Sequence, residues 1–187
     1  MDYTPINTVK IVIGSWGSYN ACNEKSLGSK WLDLYDYESW EEIEEELKKE
    51  GFILNGIDEE LFIQDVEGLP SDACSWGYTH PKTLFETLKE SEVLDSWRKM
   101  ETMQAFLEVR NFSDFEELVS SRGSGWDDDL RLYKGYDWAD YGREMFDCAC
   151  YSIPEQLENF IDFEEYGKYM GDYYAEEYSD GIIEIIR

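Results

Sequence analysis

Residues 39–51 read SWEEIEEELKKEG, and this stretch predicts the clearest helix of the chain. Its apolar side chains recur at helical spacing and share one face, which carries Trp40, Ile43 and Leu47. Ser39 followed by Glu42 has the pattern of a capping box, and Gly51 is typical of a helix end. Segments with strand patterns lie on both sides, so the helix belongs to a mixed sheet-and-helix unit.

Three segments around this helix have strand patterns. Residues 9–14 (VKIVIG) are rich in β-branched side chains, residues 30–34 (KWLDL) alternate apolar and polar, and residues 61–66 (LFIQDV) follow the helix. Residues 14–20 contain two glycines and predict a turn. We therefore expect residues 1–70 to form a small β-sheet with one helix.

Residues 71–110 have a helical pattern. Apolar side chains recur at helical spacing from Leu84 to Leu107, and Pro81, the only proline of this stretch, stands before the first of them. The single histidine of the chain, His80, precedes that proline and is expected on the surface or as a cap near the helix start. A small helical domain is expected here.

Residues 111–187 mix helix and strand patterns. Ser113 with Glu116 has the form of a second capping box, and Pro154 suits the first turn of a helix. Further expected elements are a loop at residues 121–125, strands at residues 130–134 and 181–186, and a helix at residues 138–145. The expected fold class is α+β in three small domains: residues 1–70, residues 71–110, and residues 111–187 with an antiparallel sheet.

The chain is strongly acidic, with 43 Asp and Glu against 16 Lys and Arg and a net charge of −27. Self-repulsion at such a charge opposes a compact fold. Residues 1–70, 71–110 and 111–187 have balances of −11, −2 and −14, so both ends are anionic around a nearly neutral middle. Proteins bind the phosphates of nucleic acids and the headgroups of anionic membranes through Lys and Arg. The scarcity of these residues disfavours both as direct partners. A basic protein or a cation is favoured instead.

The sequence contains no motif typical of an enzyme or a cofactor site. It has no P-loop, G-x-G-x-x-G or G-x-S-x-G pattern and a single histidine. Neither a signal peptide nor a membrane-spanning apolar run is visible, so we expect a cytoplasmic protein whose four cysteines are reduced, buried, apolar side chains. We expect a non-enzyme with neither cofactor nor metal. A divalent cation held by Asp127–Asp129 and a carboxylate hydrolase are the alternatives.

Clusters of carboxylates form the candidate binding surface. Side chains at i,i+3 and i,i+4 of a helix lie about 5–6 Å apart, and duplex DNA presents one phosphate per about 3.4 Å of rise on each strand. Each cluster alone is also explained by an ordinary solvated face. The carboxylates expected on the surface are Glu41, Glu42, Glu44, Glu45, Glu46, Asp58, Glu59, Glu60, Asp65, Glu67, Asp127, Asp128, Asp129, Asp162, Glu164, Glu165, Glu176 and Glu177.

Four segments together resemble the ArdA antirestriction protein family. They are residues 11–20 (IVIGSWGSYN), 27–33 (LGSKWLD), 59–68 (EELFIQDVEG) and 153–167 (IPEQLENFIDFEEYG). The resemblance implies an elongated three-domain protein that mimics bent B-form DNA and dimerises through its C-terminal domain. It further implies inhibition of type I restriction–modification enzymes by occupation of their DNA groove, and carriage on mobile genetic elements.

The leading hypothesis is therefore a homodimeric, non-enzymatic DNA mimic in a bacterial cytoplasm. Its partners would be the specificity and modification subunits of a type I enzyme, and it would bind no nucleic acid directly. The alternative is an acidic adaptor, or a divalent-cation-binding protein, unrelated to DNA mimicry.

Overall fold

The computed structural model describes residues 8–70, 79–151 and 153–186, without the side chain of Glu155. These residues form eight α-helices and two three-stranded antiparallel sheets, which confirms the expected α+β class. In chain order the elements are β1 (Lys10–Ser15), α1 (Trp16–Ala21), β2 (Leu32–Asp33), α2 (Trp40–Lys49), β3 (Leu61–Glu67), α3 (Pro81–Glu90), α4 (Trp97–Val109), α5 (Phe112–Arg122), β4 (Leu130–Lys134), α6 (Trp138–Cys148), α7 (Glu155–Glu158), α8 (Phe163–Gly171), β5 (Ala175–Tyr178) and β6 (Gly181–Ile185).

The first sheet has β1 at its centre, between β2 and β3. Ile11 and Ile13 of β1 are fully buried in the same apolar cluster as Ile43 and Leu47 of α2. Each large side chain buried in this way contributes roughly 1.5–3 kcal/mol to folding. The predicted helix and the first and third strands are confirmed. The second strand is shorter than expected, because only two residues of β2 pair with β1.

The prediction of a turn at residues 14–20 is wrong, because most of this segment forms helix α1. Ser15 ends β1 and caps the helix, and its Oγ accepts a hydrogen bond from the backbone N–H of Ser18 at 3.3 Å. Cys22 ends the helix in the left-handed region at φ +50°. The local cap therefore outweighs the turn preference of the two glycines.

Both predicted capping boxes are wrong. Ser39 precedes α2 but makes no capping hydrogen bond through its side chain, and Glu42 accepts from the backbone N–H of Glu38 at 2.8 Å. At α5 the cap is Asn111, which accepts from a first-turn N–H at 3.0 Å, so Ser113 lies inside the helix. Several polar groups near each helix start compete for the same unpaired N–H groups, and spacing alone does not decide between them.

The second sheet has the order β4-β6-β5. Strands β4 and β6 and helix α6 confirm predicted elements, whereas β5 and α8 were not predicted. Residues 121–125, expected to be a loop, end α5 and then form a 3₁₀ turn at Gly123–Gly125.

Helices α6 and α8 cross at two glycines. A Cβ placed on Gly142 would collide with the carbonyl oxygen of Phe163, and one placed on Gly167 would collide with the carbonyl oxygen of Trp138. The two backbones are therefore in direct contact, which only glycine permits.

One cluster of buried apolar side chains extends through most of the fold. It runs from the first sheet through α3, α4 and α5 to Trp126, Leu130 and Ile183. Polar contacts follow the same path: Gln104 Nε2 donates to the carbonyl of Gly68 at 2.8 Å, and Trp126 Nε1 donates to that of Ser91 at 3.0 Å. A second cluster surrounds Tyr141 at the C-terminal end. The division at residues 70 and 110 stays a prediction.

The cysteines differ from the expected buried positions. Cys22, Cys148 and Cys150 are exposed free thiols, because they stand at helix ends where the chain leaves the core. Cys74 lies outside the described residues. No helix within the described part of the chain has the length and apolarity to cross a membrane.

His80 is the N-cap of α3. Its Nδ1 accepts a hydrogen bond from the backbone N–H of Lys82 at 3.2 Å, and its ring lies 6.2 Å from that of Trp40. Partial burial, together with the charge of Lys82, lowers the pKa of this imidazole, although Glu86 acts in the opposite direction. A cap that accepts through Nδ1 works only while that nitrogen is unprotonated.

We expect this cap to make stability depend on pH. Because the folded-state pKa is depressed, the stabilisation is complete above the unfolded pKa of about 6.5 and is lost as the pH falls through the folded pKa. His80→Asn caps without titrating, so between neutral pH and about pH 5 it should lose less unfolding free energy than the wild type, by at most about 1 kcal/mol. Urea unfolding at each pH measures this difference, and identical pH profiles would contradict the assignment.

Candidate functional site

Helix α2 holds five of the predicted carboxylates, and two of these are paired with cations. Glu44 accepts from Trp40 Nε1 at 2.9 Å and binds Lys48 at 3.4 Å. Glu46 binds Lys30, and the hydrogen bond from this ammonium lowers the pKa of the Glu46 carboxyl and raises that of Lys30. These carboxylates are committed to contacts within the chain.

The other three carboxylates of α2 face solvent. Glu41, Glu42 and Glu45 are exposed, and no Lys or Arg of the described segments pairs with them. Glu41 and Glu45 are one helical turn apart, so their like charges repel by roughly 0.2–0.5 kcal/mol. The repulsion between these carboxylates therefore lowers the stability of the helix.

Asp58 is not on the surface, which corrects its place among the predicted binding residues. It is 1% exposed, and its carboxylate accepts hydrogen bonds from Ile53 N at 2.8 Å and from Ser18 Oγ. Burial alone would raise its pKa, but these hydrogen bonds, with a further one from Ser15, outweigh it and lower the pKa. Asp58 therefore connects α1, through Ser18, to the loop before β3, through Ile53.

The carboxylates next to Asp58 are exposed. Glu59 and Glu60 precede β3, and Asp65 and Glu67 lie on the strand itself. Residues two apart on a strand lie about 6.6 Å apart along it, so the last two present charge at a regular interval.

The three aspartates at residues 127–129 differ in burial and in ion pairing. Asp129 binds Arg122, Asp127 is half-buried and Asp128 is exposed. Among the described residues no group of three or more His, Cys, Asp or Glu side chains is arranged to hold a metal ion.

The carboxylates near the C-terminus are mostly engaged. Asp162 caps α8 by accepting from the backbone N–H of Glu165 at 3.1 Å. Glu164 and Glu165 both bind Lys168, at 2.6 and 3.7 Å. Only Asp162 of this group lacks a cation partner within the described chain.

Strand β5 carries the last predicted pair. Glu176 binds Arg110, and Glu177 accepts from Trp138 Nε1 at 3.2 Å. Arg110 also lines a groove of about 420 Å³ between α5 and the second sheet, together with Arg122. Both arginines are paired with carboxylates, Arg110 with Glu176 and Arg122 with Asp129.

Ten of the predicted carboxylates are exposed and lack a Lys or Arg partner in the described segments, and we call them the open carboxylates. They are Glu41, Glu42, Glu45, Glu59, Glu60, Asp65, Glu67, Asp128, Asp162 and Glu177. Further carboxylates lie along α6 at Asp140, Glu144 and Asp147. Their spacing of four and three residues is visible in the sequence and was not singled out.

A protein-family comparison matches this chain to the family described as antirestriction protein (ArdA), over residues 11–184. The chain belongs to the ArdA antirestriction protein family. This membership gives an antirestriction function and restriction–modification enzymes, in general, as interaction partners. A search of curated proteins found no significant match.

We expect Asp58→Asn to destabilise this ArdA family member by about 1–3 kcal/mol at neutral pH. The carboxylate accepts from the Ile53 N–H and from serine hydroxyls, and asparagine has one oxygen in place of two. The variant therefore loses a charge-assisted hydrogen bond and forces a serine hydroxyl to turn from donor to acceptor. Glu59→Gln, at an exposed neighbour, should stay within about 0.5 kcal/mol of the wild type. Urea unfolding measures both.

The lowered pKa of Asp58 also predicts how its contribution to stability changes with pH. Its stabilisation is present above the unfolded pKa of about 3.9 and is lost as the pH falls through the folded value. The gap between the wild type and Asp58→Asn should therefore narrow in acid. A gap that widens would refute the role given to this carboxylate.

Proposed function

We propose that the chain is an elongated, non-enzymatic mimic of DNA that occupies the DNA-binding groove of a type I restriction–modification enzyme. In this position it would block restriction, methylation or both. The observation that carries the proposal is the set of open carboxylates, within a chain of net charge −27 that belongs to an antirestriction family.

Open carboxylates suit this role because their charge is available. A carboxylate already paired with Lys or Arg offers a partner little attraction, whereas an exposed, unpaired one loses only water and loosely held counterions. The Lys and Arg side chains that bind DNA phosphates bind carboxylates by the same charge-assisted hydrogen bonds. Electrostatic complementarity of this kind gives fast association that weakens at high salt.

The spacing of the open carboxylates also supports mimicry. Glu41 and Glu45 are separated by about 5–6 Å on one helix face, and Asp65 and Glu67 by about 6.6 Å on a strand. A DNA strand presents one phosphate per about 3.4 Å of rise, so these intervals correspond to one carboxylate for about every two phosphates. We propose the specificity and modification subunits as the target, because these subunits contact the DNA duplex, and a cytoplasmic location for the encounter.

We expect the chain to displace duplex DNA from a type I methyltransferase at low salt, and to do so less well as salt increases. Glu41→Gln with Glu45→Gln should weaken binding about 2- to 30-fold, because two exposed ion pairs are lost. The matched control is Glu90→Gln with Asp95→Asn, which removes the same charge from exposed positions in the nearly neutral middle segment. Competition binding across a salt series gives both values.

Three results would count against the proposal in different ways. If the wild-type protein does not reduce DNA binding by the methyltransferase at low salt, the proposal is refuted. Binding to basic proteins without a DNA site, at equal strength, would indicate a general acidic adaptor. Equal losses in the two double variants would mean that net charge, and not the placement of carboxylates, decides binding.

We also propose that the chain forms a homodimer through its C-terminal part. Support comes from apolar side chains that face solvent in residues 151–160, among them Tyr151, Leu157 and Phe160, the last 84% exposed. Large contiguous patches of exposed apolar side chains commonly mark protein interfaces.

Phe160→Asp should convert the dimer to a monomer, because the introduced charge would have to be buried at the interface. Trp97→Asp is the control, since this side chain is 65% exposed on α4, outside the proposed interface. Sedimentation equilibrium distinguishes the two states. A wild type that sediments as a monomer, or a Phe160→Asp variant that stays dimeric, would be incompatible with this interface.

A further inference from the structure

Helix α1 presents two aromatic side chains to solvent. Trp16 is 40% exposed and Tyr19 is 54% exposed, and their rings meet edge to face at 5.9 Å between centroids. Beneath them Phe62 of β3 is buried, with its ring stacked on that of Trp16 at 4.2 Å and 24°. We call Trp16, Tyr19 and Phe62 the aromatic platform.

Two glycines allow the backbone to pack closely around the aromatic platform. Gly14 of β1 has no side chain, and a Cβ there would lie 2.5 Å from Phe62 Cζ, so the ring lies directly against the strand. On the other side of α1, a Cβ on Gly17 would collide with the carbonyl oxygen of Ile57. Helix α1 therefore packs directly against the loop that contains Ile57 and Asp58, and the stacking of Trp16 on Phe62 sets the orientation of the Trp16 ring.

Two residues that carry open carboxylates are backbone neighbours of the helix that carries the platform. The backbone N–H of Trp16 donates to the carbonyl of Glu60 at 3.0 Å, which places Glu59 and Glu60 next to the first turn of α1. Neither carboxylate pairs with a Lys or Arg of the described segments. The cation–π contacts within the described chain lie elsewhere, at Lys25 with Phe52, Lys89 with Phe85 and Arg143 with Phe163.

Aromatic faces next to unpaired carboxylates match the chemistry of arginine. The guanidinium is planar, stacks on aromatic faces and donates two parallel hydrogen bonds to a carboxylate. Two other occupants are disfavoured by charge. Nucleic acid would bring phosphates to an anionic surface, and a second copy of the chain would bring residues 1–70 with their balance of −11.

We propose that the aromatic platform, with Glu59 and Glu60, is a docking surface for an arginine side chain from the basic DNA-binding surface of a protein partner. This inference rests on the proposed function, which supplies a partner with such a surface. It adds a contact that carboxylates alone do not give, because a phosphate-like array attracts any cation whereas an aromatic face favours arginine. Lysine, a compact and strongly hydrated cation, stacks less well.

The test uses Trp16→Leu and Tyr19→Leu, measured as affinity for a type I methyltransferase across a salt series. Each variant should weaken binding about 2- to 30-fold by the loss of a cation–π contact. The slope of affinity against salt should stay as in the wild type, because no charge is removed. Glu59→Gln with Glu60→Gln should both weaken binding and flatten the slope.

Trp97→Leu is the matched control for the loss of an exposed aromatic side chain, and it should bind like the wild type. Trp16→Phe retains an aromatic face above Phe62 and should recover most of the affinity, which separates stacking from a folding defect. Urea unfolding midpoints equal to that of the wild type complete the comparison.

The outcomes distinguish this inference from the proposed function. A wild type that does not compete with DNA refutes the proposed function itself. A wild type that competes, with Trp16→Leu and Tyr19→Leu as strong as the wild type, overturns the arginine contact and leaves the mimic in place. A flattened salt slope in Trp16→Leu would also overturn it, because the loss would then come from displaced carboxylates.

Discussion

Repulsion among carboxylates is the constraint under which this fold exists. With 43 acidic side chains against 16 basic ones, the folded state must hold like charges closer together than the unfolded chain does. The opposing force is burial. One apolar cluster connects the first sheet, the middle helices and part of the second sheet, so removing any one of these elements would expose core side chains of its neighbours.

The few basic side chains are placed where they link elements. Lys30 joins the segment before β2 to Glu46 of α2, Arg110 joins the end of α4 to Glu176 of β5, and Lys134 of β4 binds Glu101 of α4 at 2.5 Å. Exposed ion pairs of this kind contribute little individually. Their larger effect is on the pattern of charge, because they neutralise carboxylates where two elements meet and leave the open carboxylates without a cation partner.

The sequence predicted the fold class and the strongly patterned elements well. Helix α2 has apolar residues at helical period that are buried, and strands β1 and β6 are short apolar, β-branched runs that the structure also buries. Helix α1 was missed because its cap is made by the last residue of a strand, and β5 because its sequence, AEEY, has no strand pattern of its own. Tertiary pairing with β6 makes that segment a strand.

The candidate site was predictable only in outline. Acidic clusters are visible in the sequence, but pairing is not: Glu44 and Glu45 are neighbours, yet only Glu44 finds a lysine. Asp58 illustrates the limit, since its sequence neighbours are exposed carboxylates while its own carboxylate is buried by a loop that folds back on α1. The aromatic platform joins α1 and β3, two segments that lie far apart in the sequence, and no local sequence pattern predicts that contact.

The crossing of α6 and α8 at Gly142 and Gly167 affects where the negative charges of these two helices lie relative to one another. Where two helices pack through long side chains, their axes can shift by rotamer changes; here backbone atoms touch and leave no such freedom. Helix α6 bears Asp140, Glu144 and Asp147, and Asp162 caps α8. These glycine contacts therefore help to set how far Asp162 lies from the carboxylates of α6, and a side chain at either glycine would change that interval.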